Sequence, residues 1–189
     1  MTTPHKRNVL VGYLGTEHAG SGVELIHHLA PHHEMQGFHY LKAPSPAAAL
    51  SILTPSEQAE QTHFDLLVLP PQFVIPHVLD IETAARADRK NLLDDIKRVC
   101  QGWGIANLDA LTLGTYAMYN LKHPNHLIIT APQFLMTPPG AKDASQPDFQ
   151  RFPLLRYELM GAKVIHQARE YKSQAEAIAK RAGELYPKH

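Results

Sequence analysis

Two rhythms of apolar residues alternate along this chain. Six segments read as strands: about 8–14, 35–40, 64–70, 109–113, 126–131 and 162–166. The third, Phe64 to Leu69, and the fifth, His126 to Thr130, are nearly continuous apolar runs. That is the pattern of strands buried on both faces of a parallel sheet. Between them the spacing turns helical. Val23, Ile26 and Leu29 mark one face of a first helix over Val23 to Ala30, which Pro31 ends. A second starts near Ser45-Pro46 and carries Ala47 to Leu53. Thr54-Pro55-Ser56-Glu57 reads as a capping box with proline at the first helical position, opening a short helix through Gln61. From Val78 to Gln101, one stripe holds Leu92, Leu93, Ile96, Val99 and Cys100. Short helices are expected over Gly114 to Leu121 and Phe152 to Met160. The last begins at a second capping box, Ser173-Gln174-Ala175-Glu176, with Ala175, Ile178, Ala179, Ala182 and Leu185 inward.

Strands alternating with helices predict one α/β domain over residues 1–189. The expected architecture is a three-layer sandwich with a mostly parallel sheet, flavodoxin-like or Rossmann-like. A chain of this length buries about 70% of its unfolded surface. Residues 137–153 are rich in Pro, Gly, Ala, Asp and Ser and form the longest stretch without a pattern. Two readings of it stay open, a mobile lid and a surface excursion with no role.

Composition narrows the function classes. Lys+Arg and Asp+Glu both number 18, so the formal charge is zero. Nucleic-acid and anionic-membrane binders usually carry a basic excess, so neither partner is expected. No apolar run approaches the roughly 18 residues of a membrane span. The short run after Lys6-Arg7 ends at Glu17 and His18 without an export cleavage site. A cytoplasmic protein is expected, and a homo-oligomer is left open. Cys100 is the only cysteine and reads as a buried core thiol.

Candidate chemistry starts at Gly15-Thr16-Glu17-His18-Ala19-Gly20-Ser21-Gly22, between the first strand and the first helix. Gly15 and Gly20 have Walker A spacing, but Ser21-Gly22 stands where Lys-Ser/Thr would supply a cation and a magnesium ligand. Nor do glycines at 15, 20 and 22 spell G-x-G-x-x-G. What remains is a generic anion cradle of backbone N–H groups of residues 19–23, the Thr16 and Ser21 hydroxyls and the helix dipole. A monophosphate suits it, with FMN or a sugar phosphate as examples, although Glu17 must point away. His18 lies inside the loop and is a candidate acid/base group, as is Glu17.

A second feature is an echo. Pro71-Gln72-Phe73 follows the third strand and Pro132-Gln133-Phe134 follows the fifth, just after Thr130. Both fall at the carboxyl ends of buried strands, the edge where open α/β sheets bind ligands. The glutamine amides offer donors and acceptors, and the two phenylalanines are expected to wall a flat ring. Asp65 to Gln72 also resembles a local pattern of the lactose/cellobiose-type IIB components of phosphotransferase systems, an apolar strand ending in Pro-Gln. The resemblance covers about ten residues and implies related architecture. Those domains accept phosphate on a cysteine just after the first strand, and Tyr13 to Thr16 contains none, so that chemistry is not carried over.

A third feature is His27, His28, His32, His33 and His39 beside Glu34. His27 and His28 face different sides of a helix and Pro31 breaks pairing with His32, so no metal site is expected. His126, at the start of its strand, should lie at the opposite edge from the ligand. Lys142, Arg151 and Arg156 are candidate anion clamps beside the pattern-free segment. No Gly-x-Ser-x-Gly elbow occurs. The leading reading is a flavodoxin-like binder of a small phosphate-bearing ligand, with an oxidoreductase role if that ligand is FMN. Two alternatives are a non-catalytic sensing or interaction module and a transferase or hydrolase acting on a nucleoside or sugar phosphate.

Overall fold

The computed structural model describes residues 6–13, 20–53, 63–74, 121, 123–149 and 151–187. The expected strand at 109–113, the capping box at Thr54, the helices over 78–101 and 114–120, and Cys100 lie outside the described residues. Among those described, β1 (Arg7–Gly12), β2 (Phe38–Ala43), β3 (Leu66–Leu69), β4 (Leu127–Ala131) and β5 (Lys163–His166) form one sheet. Every pairing is parallel and the order is β2-β1-β3-β4-β5. The continuous apolar runs sit centrally: all of Leu66–Leu69 and Leu127–Ala131 is buried.

The helices are α1 (Gly20–Leu29), α2 (Pro46–Leu53), α3 (Pro71–Val74), α4 (Leu155–Leu159) and α5 (Tyr171–Leu185). Successive strand residues point to opposite faces, so each face builds its own core. Val9, Val11, Leu66, Val68 and Ile128 meet Leu25, Leu29, Ile178 and Ala182 of α1 and α5. Leu10, Leu67, Leu69, Leu127 and Ile129 meet Leu53, Phe73 and Tyr157 of α2, α3 and α4. This is a three-layer α/β sandwich, and its strand order is the flavodoxin-like one.

Three local expectations are corrected. The second strand begins at Phe38, not 35, because Met35 closes a 3-10 turn, His33–Met35, and Gly37 adopts a left-handed φ of 86°. Only glycine takes that conformation without strain, so the chain turns there before it extends. On α1 the buried stripe is Gly22, Leu25 and Leu29, while Val23 is 44% exposed. The helix is rotated because Gly22 lies against the Tyr13 ring. Finally, α5 starts at Tyr171 with Glu170 as N-cap and no side-chain cap bond, so Ser173 is inside the helix and its capping box does not form. The inward face is otherwise as expected, with Gln174 buried as well. By contrast Ser45 does cap α2, its Oγ accepting from the Ala48 N–H at 3.1 Å.

The segment 137–153 has structure of its own. Pro139–Asp143 is a 3-10 turn, and Lys142 Nζ pairs with Glu158 Oε1 of α4 at 2.8 Å. Asp148 Oδ1 accepts from the Arg151 N–H at 3.0 Å, and the Arg156 guanidinium lies 5.2 Å over the Phe149 ring. Tyr157 ties α4 to α3, its hydroxyl donating to the Val74 carbonyl.

Candidate functional site

The strand order reverses between β1 and β3. From β1 the chain moves out to β2, then returns across β1 to β3. The order thus switches at the carboxyl ends of β1 and β3, the place where open α/β sheets commonly bind ligands. Two close contacts lie near the carboxyl end of β1. A Cβ at Gly12, the last residue of β1, would stand 2.7 Å from Phe73 Cε2 and 3.0 Å from Leu69 Cδ2. A Cβ at Gly22 would overlap the Tyr13 ring. Gly22 is thus fixed by helix-on-strand packing. Gly15, Thr16, Glu17 and His18 lie outside the described residues, and Gly20 and Ser21 are the first two residues of α1.

The two Pro-Gln-Phe motifs differ in phase. Phe73 is 2% exposed and Phe134 is 82% exposed. Each follows a turn in which the third residue donates to the proline just before it. The Phe73 N–H bonds the Pro70 carbonyl, and the Leu135 N–H bonds the Pro132 carbonyl, both at 3.0 Å. The structural equivalents are therefore Pro70 with Pro132, Gln72 with Phe134, and Phe73 with Leu135. The third position turns inward in both, and Leu135 packs on the same core cluster that contains Phe73. Pro70-Pro71 adds one proline to the first copy, which slides its motif by one residue along the turn. Phe73 consequently does not wall an open ring site, correcting that expectation. The second positions, Gln72 and Phe134, present at the carboxyl edge instead. Thr130 is 3% exposed, inside β4, and Gln133 is exposed.

Electrostatics favour an anion at the start of α1. This ten-residue helix has no acidic residue in its first turn. The dipole of such a helix leaves about half a positive charge at its start. Lys142 is held by Glu158, and Arg151 and Arg156 lie against Phe152 and Phe149, so these cations form a strap along α4.

The opposite, amino edge carries the other polar cluster. His126 lies there, as expected from its place before β4. The Tyr186 hydroxyl donates its one proton to the Asp65 carbonyl at 2.6 Å. The 3.0 Å contact with His126 must then be Nδ1–H donating to the hydroxyl oxygen. Arg7 lies 4.3 Å over the Tyr186 ring. Burial pushes the His126 imidazole below its ordinary value. Nearby His123 and Arg181 add to that, against the Asp65 carbonyl and carboxylate. Above pH 6.5 His126 is neutral whether folded or unfolded. As pH falls below 6.5 the unfolded chain takes up its proton first, so stability is lost with acid. Urea midpoints should fall between pH 7.5 and 5.5, and fall less in His126→Gln than in the wild type. An equal fall in both proteins would refute this assignment.

A groove of about 650 Å³ beside this cluster is lined by His32, His33, Glu34, Lys180, Glu184 and Tyr186 among others. His33 Nε2 stands 3.1 Å from Glu34 Oε1. Among the described residues no three His, Cys, Asp or Glu side chains converge well enough to hold a metal ion. No described helix is long and apolar enough to cross a membrane.

Reasoning from sequence missed Tyr13, Tyr157 and Tyr186. Tyr157 and Tyr186 bond carbonyls 83 and 121 residues away, and Tyr13 packs on a glycine in the next helix, so no local pattern marks any of them. Comparison with known proteins finds no matching family model, no matching curated protein and no matching solved structure.

Proposed function

We propose that this chain is a cytoplasmic protein that binds a small phosphate-bearing ligand at the carboxyl edge of its sheet. The phosphate is taken by the glycine-rich connection from β1 to α1. The observation that carries this reading is the strand order, which switches between β1 and β3, the strands that lead into that connection and into the Pro70–Val74 turn. Supporting it is the acid-free first turn of α1. Backbone N–H groups at a helix start bind an anion without any charged side chain. FMN fits only in part. Of the two phenylalanines, Phe134 alone is free to cover an isoalloxazine, because Phe73 is sealed against Gly12. FMN would bring redox chemistry when bound, and the chain's own contribution would be orientation at this edge.

Thermal unfolding in ribose 5-phosphate, AMP, FMN and inorganic phosphate tests the reading. At a hundredfold excess over Kd a ligand should stabilise by about 2.7 kcal/mol. Gly20→Asp puts a carboxylate at the first residue of α1, where it suits the dipole but repels phosphate. That variant should keep its circular dichroism and lose the shift. A shift that survives Gly20→Asp, or no shift with any probe, overturns the proposal.

A further inference from the structure

The two loops that follow β3 and β4 make a step. β3 and β4 pair with Leu69 opposite Ile129. Gln72 is three residues past Leu69, whereas Phe134 is five past Ile129, a difference of two. Two residues of strand advance about 7 Å, and neighbouring strands lie about 4.8 Å apart. The turn that carries Phe134 therefore begins one strand over and about two residues further toward the carboxyl edge than the turn that carries Gln72, and the Phe134 ring is exposed. Both loops belong to the same layer of the sandwich. Phe73 and Val74 are members of the core cluster on the α2 and α4 face, and Leu135 and Met136 pack against it.

Two hydrogen-bonding atoms of these loops have no partner among the described residues. Gln72 Oε1 is buried and, among the described residues, receives no donor; Thr137 Oγ1, on the β4 loop, is in the same state. A buried acceptor left empty costs folding free energy, so it is usually explained by a group the protein alone does not supply. Gln72 is only partly buried as a residue, and its terminal amide torsion is broad. An exposed aromatic ring and an unpartnered carbonyl acceptor on neighbouring turns match one kind of group, a flat heterocycle with an N–H on its edge.

We infer that the ligand carries a planar nitrogen heterocycle, stacked on Phe134 and donating an edge N–H to Gln72 Oε1. This rests on the phosphate reading, since the ring and the phosphate share one carboxyl edge. A nucleobase and an isoalloxazine offer the same chemistry, as both are flat rings with an edge N–H.

Calorimetric titration of the full chain with ribose 5-phosphate, AMP, GMP, UMP, FMN, adenosine and riboflavin separates the possibilities. At least one ring-bearing phosphate should bind tenfold or more tighter than ribose 5-phosphate, in line with one base stacked on an aromatic side chain. FMN exceeding the nucleotides identifies a flavin, and the reverse identifies a nucleobase. Gln72→Leu and Phe134→Ala should each remove about tenfold from the ring-bearing ligand and leave ribose 5-phosphate unchanged. Both side chains are at least partly exposed, so these variants should fold. Equal affinity for ribose 5-phosphate and every ring-bearing phosphate overturns the inference and leaves the phosphate reading standing. So does a ring preference that Gln72→Leu and Phe134→Ala leave intact. Binding of adenosine or riboflavin without any gain from phosphate overturns the phosphate reading alone. Failure of every ligand to bind overturns both.

Discussion

Phe73→Ala should destabilise the protein by about 3–5 kcal/mol, whereas Phe134→Ala should change stability by no more than about 0.5 kcal/mol. The two residues sit in the same tripeptide, Pro-Gln-Phe, after two buried parallel strands. Their difference is one of phase. Phe73 is the third residue of its turn, packed over Gly12 and among the largest fully buried side chains. Truncating it opens a cavity between the ends of β1 and β3 that backbone cannot fill. Phe134 is the second residue of its turn and stands in solvent. Urea unfolding of both variants measures the contrast, with unchanged m-values confirming that the compact state is the same. Equal costs would mean the two motifs are in phase after all, and the step at the carboxyl edge would not exist.

Gly22→Ala gives the second large effect, and its sign is the informative part. In an exposed helix interior, alanine stabilises by about 1 kcal/mol relative to glycine. Here the added Cβ overlaps the Tyr13 ring, so overpacking should dominate and destabilise by about 1–3 kcal/mol. Tyr13 is anchored by its N–H to the Ala43 carbonyl at 2.9 Å, so the ring cannot retreat with its backbone. Removing the ring should remove the clash. In the Tyr13→Ala background Gly22→Ala should become neutral or stabilising, a coupling of about 0.5–3 kcal/mol in a double-mutant cycle. Additive effects would show that the Tyr13 ring is not what excludes a side chain at position 22.

These contacts mark how far the sequence could be read. Continuous apolar runs at Leu66–Leu69 and Leu127–Ala131 announced buried parallel strands, because a strand covered on both faces has no polar side to show. Pro46 after Ser45 announced the start of α2 for an equally local reason. Local signals failed where a distant partner decides. Val23 has the right spacing for the core, yet Tyr13 on Gly22 turns it outward. Ser173 and Glu176 spell a capping box, yet the helix continues back to Tyr171 and leaves it unused. The twin Pro-Gln-Phe motifs are alike in letters and unlike in space, because the extra proline at position 70 resets the turn. The candidate site was legible as an edge of the sheet, which follows from topology. Which side chains face that edge was not, since it depends on turn phase.

We propose that a phosphate-bearing ligand occupies the carboxyl edge where β1 and β3 diverge. Amide nitrogen–proton NMR spectra recorded during titration with ribose 5-phosphate test it residue by residue. Saturable shifts should appear at Tyr13, at Gly20 to Leu25 and at Gln72 to Val74, with His126 and Tyr186 at the amino edge unmoved. Shifts confined to the amino edge, or none at saturating ligand, would contradict the account.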